Sequence, residues 1–416
     1  MPPSPATTPD EVLAHLSRTT DQVFGRDDLR SRLGSGRPLR IKFGVDCTAP
    51  DLHLGHAVNL WMMRYLQDLG HVVVFLLGDT TTRIGDPTGR SATRPVLTPA
   101  EIDANARAFL DQATLVLRDD PEVLEVRRNS EWYDRMAITE LLGELSLVTL
   151  HQLMARDMFQ KRVRDGREVA VHELVYPVLQ GFDSVALESD LTIVGSDQLF
   201  NEAMGRELQA RHGQLPQTVV TSTITPGLDG GPKQSKSLGN YVGLAHDPAE
   251  KLGRLMTLDD DLIGTWATVY TDLPQEVVAD LAARGAAGGP GARDAKLDLA
   301  ESVVARYHGA SAAADARAAF LDVFSRRHVP GSMPDASVAL PRPTVAELVS
   351  AARPELTGSA VRRLVAQGGV RINGAPHRDP QARPEVATGD VLQTGRRRWF
   401  RLRLAGGDVT SRRPSR

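Results

Sequence analysis

The sequence predicts an α/β fold: a domain with a largely parallel sheet, then a helical region, then a small basic α+β module. Three observations predict it. Leu39 to Val45, a histidine-bearing turn, a helical pattern and Val72 to Leu77 make a strand–turn–helix–strand unit. The stretch from Pro248 to about Pro330 is alanine-rich and patterned as helix. From Pro341 to Arg416 there are 15 arginines, no lysine and six acidic residues, a net +9 in a chain whose total is −3.

The first unit carries the most information. Its turn reads Asp51-Leu52-His53-Leu54-Gly55-His56, and its helix shows apolar positions at Val58, Leu60, Trp61, Met62, Tyr65, Leu66 and Leu69 before Gly70 ends it. A helix N-terminus presents free backbone N–H groups and the positive end of the dipole, which favour a bound anion. Gly55 admits a ligand close to the backbone. His53 and His56 supply donors for phosphate oxygens. The same two histidines could instead be a metal pair or an ordinary helix start. The only cysteine is Cys47, and no third ligand stands at a familiar metal-site spacing.

Lys233-Gln234-Ser235-Lys236-Ser237 lies among Gly227, Gly230, Gly231 and Gly239. Two lysines three apart on a glycine-rich loop suit a mobile clamp for departing pyrophosphate. Alone, the segment reads more readily as a solvated lysine turn. Further along the unit's domain, Tyr176, Gln180 and Asp183 stand at i, i+4 and i+7 and share one helix face, which on spacing alone reads as the wet side of an amphipathic helix. Pro177 lies near that helix's start or kinks it. Asp197 follows the strand Leu191 to Val194, where an Asx turn and a ligand contact are equally compatible.

The paired histidine and lysine segments resemble the HIGH and KMSKS signatures of class I aminoacyl-tRNA synthetases. The resemblance narrows to the tyrosyl-tRNA synthetase family. Lys42-Phe43-Gly44-Val45-Asp46-Cys47-Thr48-Ala49-Pro50-Asp51-Leu52-His53, Ile84-Gly85-Asp86-Pro87-Thr88-Gly89-Arg90, Tyr176-x-x-x-Gln180-x-x-Asp183 and Gly195-Ser196-Asp197-Gln198 carry it, in that order, over almost the whole chain. The C-terminal part resembles an S4-type RNA-binding module.

That resemblance implies a Rossmann-like class I catalytic domain over 1–232, with an inserted helical dimer-interface region at about 121–173. A loop and helical domain that binds the anticodon stem would span 233–335, and an S4-like domain 341–405. It implies an ATP-dependent tyrosine–tRNA ligase with tRNA(Tyr) and L-tyrosine, or a close analogue, as partners. ATP is a substrate that carries Mg²⁺. His53, His56, Thr48, Lys233 and Lys236 would act in catalysis, and Gly55, Gly195, Asp197, Ser235 and Lys236 would bind ATP. Asp46, Asp86, Tyr176, Gln180, Asp183 and Gln198 would hold tyrosine, with Asp183 accepting the phenol hydroxyl. In the tail, Thr344 to Leu348 and Ser359 to Gln367 read as helices, and Val370 to Gly374 as a strand entering an Asn-Gly turn. Arg362, Arg363, Arg371, Arg396, Arg397 and Arg398 are the RNA-binding candidates, since arginines neutralise phosphates and release counterions.

Several positions depart from the family pattern. Cys47 replaces a proline, Phe182 a tyrosine, Val194 a glycine and Gln234 the methionine of the loop. Thr80-Thr81-Thr82-Arg83 replaces a sequence more like Phe-Thr-Gly-Met, which predicts bulk and a cation beside the amino-acid pocket and a changed specificity at the ring edge. Arg83 would then point to solvent or pair with an anion. Two other readings stay open: a paralogue that charges a tyrosine analogue or serves a pathway outside translation, and an RNA-binding protein that lost catalysis.

At 416 residues the chain is long enough for several domains. No run of 18 apolar residues exists, Met1 to Asp10 lacks signal-peptide order, and one cysteine excludes an intramolecular disulfide, so a cytoplasmic protein is expected. The low-complexity segment Ala282 to Arg293 is expected as a flexible connection within the helical region.

Overall fold

Ile41, Val73, Val74 and Phe75 have no exposed surface, which puts their two strands in the interior of a sheet covered on both faces. The structure is a computed structural model. It describes residues 7–48, 52–86, 97–231, 233–235, 238–325, 333–338, 342–395 and 398–404. The chain divides into two compact units, Met1–Arg317 and Ala318–Arg416.

The described residues of the first unit form six strands: β1 (Thr20–Phe24), β2 (Arg40–Val45), β3 (Val72–Leu77), β4 (Leu124–Arg128), β5 (Leu191–Gly195) and β6 (Thr218–Ser222). Their order across the sheet is β1-β6-β5-β2-β3-β4. Only β1 runs antiparallel, against β6; the other pairs are parallel. Chain order moves one way from β2 through β3 to β4 and the other way from β5 to β6. The carboxyl ends of β2 and β5 therefore flank a switch point, where open α/β sheets bind ligands.

The histidine unit forms as expected. Its helix is Leu54–Asp68, followed by Gly70 at φ +87°, a left-handed conformation that favours glycine. The stretch expected as an inserted helical region opens with β4, an edge strand, and turns helical from Ser130. Ala282 to Arg293 is no long flexible connection. It is the end of one helix, Gln275–Ala287, a break at Gly288 and Gly289 with φ near +69° and +61°, and the start of another, Gly289–His308. The helices Pro248–Leu255 and Ile263–Tyr270 precede them, so the alanine-rich region is helical as patterned.

The second unit has a five-stranded sheet of order β7-β11-β10-β8-β9, with β7 Asp335–Val338, β8 Val370–Ile372, β9 Ala375–His377, β10 Val391–Thr394 and β11 Arg398–Leu404. Two helices, Val345–Ala352 and Gly358–Ala366, pack Leu348, Val349, Val361 and Val365 onto Ile372, Leu392 and Leu402. Asn373 and Gly374 both have positive φ, +47° and +83°, which is the two-residue hairpin turn the Asn-Gly pair predicts.

Candidate active site

His53 is the N-cap of its helix. Its Nδ1 accepts from the Gly55 N–H at 3.2 Å, and the His53 N–H donates to His56 Nδ1 at 3.2 Å. With both Nδ1 atoms accepting, a neutral ring carries its proton on Nε2, the atom each histidine can offer as a donor. The ring centroids are 3.9 Å apart. The backbone on the other side is also fixed: Leu54 N–H donates to Val242 O at 2.9 Å, and Leu244 N–H to Leu52 O at 3.0 Å. The segment that follows the lysine loop is thus stitched to the histidine turn. Buried Lys251 holds that segment by donating to the carbonyls of Leu244 and His246; burial lowers its pKa to about 8.

A cavity of about 350 Å³, within the ordinary range for small-molecule sites, opens at the switch point. His53, Gly55 and His56 line it from the helix start, Asp46 from the end of β2, and Gly195, Asp197 and Gln198 from the end of β5. Tyr176, Gln180 and Asp183 line it from the helix Val171–Ala186, and Lys233 and Gln234 from the lysine loop. Asp86 completes the set. Pro177 lies inside that helix, with Tyr176 just before it.

The polar groups are interlocked. The Tyr176 hydroxyl donates to Asp46 Oδ2 at 3.0 Å, and Thr81 Oγ1 donates to Asp46 Oδ1 at 2.9 Å. Gln198 Nε2 donates to Asp86 Oδ2 at 2.9 Å. Gly195 precedes Asp197 closely: a Cβ there would lie 2.7 Å from Asp197 Oδ1. Asp183 is buried, and its Oδ1 accepts from Trp132 Nε1 at 3.1 Å and lies 2.9 Å from the Tyr133 hydroxyl. That hydroxyl's single proton also faces the Leu179 carbonyl at 2.6 Å. Burial, opposed by nearby Lys42, pushes the Asp183 carboxyl up to about 7.

Not every expected residue joins the site. Thr48 does not line the cavity; its N–H turns back to the Asp46 carbonyl. Arg83 is exposed, on the solvent side of the short helix Asp79–Ile84. Thr82 is buried there, with its hydroxyl between the Cys47 N–H and the Gly78 carbonyl. Of the two alternatives for Arg83, solvent or an anionic partner, the structure takes solvent. Ser235 is described, and its N–H donates to Asn240 Oδ1 at 2.8 Å. Lys236, Ser237, Arg396 and Arg397 lie outside the described residues, as do Asp51 and Pro87 to Arg90. Arg362, Arg363, Arg371 and Arg398 are exposed in the second unit, where Arg398 pairs with Glu355 at 2.9 Å.

The sequence reading missed two groups. Lys42 and Glu202 form an ion pair at 2.8 Å with 2% of each side chain exposed. Glu202 also accepts from Gln180 Nε2 at 2.9 Å and Gln217 Nε2 at 2.9 Å, while Lys42 donates to Ser184 Oγ at 2.7 Å. A lysine between Ile41 and Phe43 at the middle of a buried strand was the available signal, because a buried charge needs a partner. The second group is Trp132 and Tyr133 around Asp183, for which spacing gave no signal. Among the described residues, no three His, Cys, Asp or Glu side chains are placed to hold a metal ion, and no helix is long and apolar enough to cross a membrane.

Comparison with known proteins fits this site. The family described as tRNA synthetases class I (W and Y) matches residues 34–325. A "Tyrosine--tRNA ligase" of Moorella thermoacetica is 43% identical over 93% of this chain and 94% of its own length. A protein of the same name from Bordetella pertussis is 43% identical over 97% of this chain and 99% of its own. Among solved structures, a C-terminally truncated Aspergillus nidulans mitochondrial tyrosyl-tRNA synthetase superposes with a TM-score of 0.62 at 22% identity, covering 76% of this chain and 94% of that one. A tyrosyl-tRNA synthetase from Archaeoglobus fulgidus, solved with L-tyrosine, gives 0.57 at 19% identity, over 74% and 99%. At such identities the superpositions speak to the fold, while the curated relatives and the family match speak to kinship. The chain belongs to the class I tRNA synthetases of the tryptophan and tyrosine type, and within them to the tyrosine–tRNA ligase family.

Proposed function

We propose that this chain activates L-tyrosine with ATP and transfers it to the 3′ end of tRNA(Tyr). The observation that carries the reading is one cavity lined both by His53, His56 and Lys233 and by Tyr176, Gln180 and Asp183. The tyrosine carboxylate attacks the α-phosphorus of ATP, and pyrophosphate leaves. No side-chain nucleophile is needed; the protein aligns reactants and stabilises charge that spreads onto the phosphates. The Nε2–H groups of His53 and His56 act from the helix start, and Lys233 and Lys236 from the loop. Mg²⁺ enters with the nucleotide. Asp197 takes the ribose hydroxyls and Asp183 the phenol. The 3′-terminal ribose hydroxyl of tRNA then attacks the adenylate carbonyl, and AMP leaves.

Gln180 presents a defined amide end. Its Nε2 is committed to Glu202, and its Oε1 accepts from Asn201 Nδ2 at 2.7 Å, so it is the oxygen that serves an ammonium group of the substrate. Asp86 and Tyr176 complete that end. The outward turn of Arg83 removes the main argument for a ring-modified substrate and favours plain tyrosine.

The helical segment after β4 supports a homodimer. Ile138 is 75% exposed and Leu142 58%, on a helix, Ile138–Ser146, with no buried residue. The helical region and the S4-like module, with exposed Arg362, Arg363 and Arg371, grip tRNA, and the enzyme works in the cytoplasm. ATP–pyrophosphate exchange over a panel of aromatic amino acids tests the reading. Exchange should depend on tyrosine; a preference for tryptophan or a ring-substituted tyrosine would replace the assigned substrate.

A further inference from the structure

Gln234 stands where the family pattern has methionine, and only 5% of it is exposed. A buried amide is costly unless its donors and acceptor are met. Here Nε2 donates to the Tyr270 hydroxyl at 2.7 Å and to Thr225 Oγ1 at 3.3 Å. The Val242 N–H approaches Oε1 at 3.5 Å. Tyr270 and Thr225 are bonded to each other, and burial pushes the Tyr270 phenol up, so its proton stays in place.

These partners come from three directions. Thr225 follows β6, Tyr270 ends the helix Ile263–Tyr270, and the Val242 carbonyl receives the Leu54 N–H of the histidine turn. A Cβ on Gly55 would lie 3.7 Å from Gln234 Nε2, so the amide rests beside the helix start itself. The adjoining backbone is clamped as well: Asn240 Nδ2 donates to the Lys233 carbonyl at 3.3 Å, and its Oδ1 accepts from the Ser235 N–H at 2.8 Å. Methionine could fill the same space, but a flexible thioether imposes no direction. Two donated hydrogen bonds do.

We propose that Gln234 is a positioning residue for the ATP-dependent step: its amide latches residues 233–235 onto Thr225 and Tyr270 and so sets where Lys233 meets the nucleotide. This rests on the adenylate-forming reading above. The latch makes placement of the loop depend on hydrogen bonds rather than on shape alone.

The test uses the full chain with Gln234→Met, Tyr270→Phe and both together. Tyrosine-dependent ATP–pyrophosphate exchange is measured against ATP, and single-turnover transfer to tRNA from preformed tyrosyl-adenylate is measured separately. Each single change should lower kcat/KM for ATP about 2- to 10-fold, the range for one net hydrogen bond. KM for tyrosine and the transfer rate should hold within about twofold, since neither involves the ATP-facing loop. The double variant should be no worse than the weaker single, because both remove one network. Unchanged ATP kinetics, an equal loss in both steps, or singles that multiply would overturn the proposal. Tryptic cleavage after Lys233 supplies a readout that needs no activity: it should quicken in each variant, and an unchanged rate contradicts the latch. If the wild-type chain shows no tyrosine-dependent exchange, the functional reading falls, and cleavage alone decides the latch.

Discussion

Lys42 and Glu202 meet at 2.8 Å in a site where neither side chain keeps more than 2% of its surface, and Glu202 passes that constraint to Gln180 through a 2.9 Å hydrogen bond. The pair's net stabilisation is small, because desolvation offsets attraction, yet breaking it strands a charge. Lys42→Met should therefore cost about 3–5 kcal/mol in denaturant unfolding, and pairing it with Glu202→Met should cost less than either single change. Additive losses would show that the two residues do not act as a pair. KM for tyrosine should rise in Glu202→Gln, since Gln180 loses its charged acceptor.

Asp183 predicts a pH dependence of tyrosine binding. Its carboxyl is pushed up to about 7 from an ordinary 3.8, so between those values the folded chain binds more proton than the unfolded one. Its contribution to stability therefore falls as pH rises from about 4 to about 7. The ionised carboxylate is the stronger acceptor for a phenol. KM for tyrosine should climb below about pH 7, by no more than about tenfold per unit, and Asp183→Asn should flatten the profile. A wild-type profile flat from about pH 5.5 to 8 would contradict a carboxyl that titrates near neutral pH.

Gly55 predicts a local effect. A Cβ there would sit 3.0 Å from His53 Nδ1 and Cε1, so Gly55→Ala must displace the imidazole that caps the helix. Exchange activity should drop about tenfold or more through misplacement. Stability should move by less than about 1 kcal/mol, because alanine is the better helix former. Normal activity in a well-folded variant would remove His53 from the mechanism.

Much of this was legible because it is local. The histidine turn, the Asn373-Gly374 hairpin and the shared face of Tyr176, Gln180 and Asp183 each follow from spacing within a few residues. Lys42 and Glu202 sit on different elements, and no periodicity joins them. The Thr80–Arg83 segment misled for a related reason. Position in the family pattern put Arg83 beside the pocket; as part of the helix Asp79–Ile84, the segment buries Thr81 and Thr82 and turns Arg83 outward. Ala282 to Arg293 read as flexible from its low complexity, whereas Gly288 and Gly289 serve one tight break between helices.

The exposed apolar helix predicts assembly. Leu142→Asp, with Ile138→Asp as a second variant, should shift sedimentation from dimer toward monomer while leaving each chain folded. A wild-type chain that sediments as a monomer at micromolar concentration would contradict the assigned interface.

The central claim is that this cavity selects tyrosine for attachment to tRNA. The most direct test is charging of deacylated tRNA(Tyr) by the full chain with ATP and labelled tyrosine, followed on acid gels beside equal concentrations of phenylalanine and tryptophan. The predicted result is tyrosine-dependent charging that Asp183→Asn abolishes or makes indifferent between tyrosine and phenylalanine. Charging by tryptophan, or none with tyrosine while the protein remains folded and binds ATP, would contradict it.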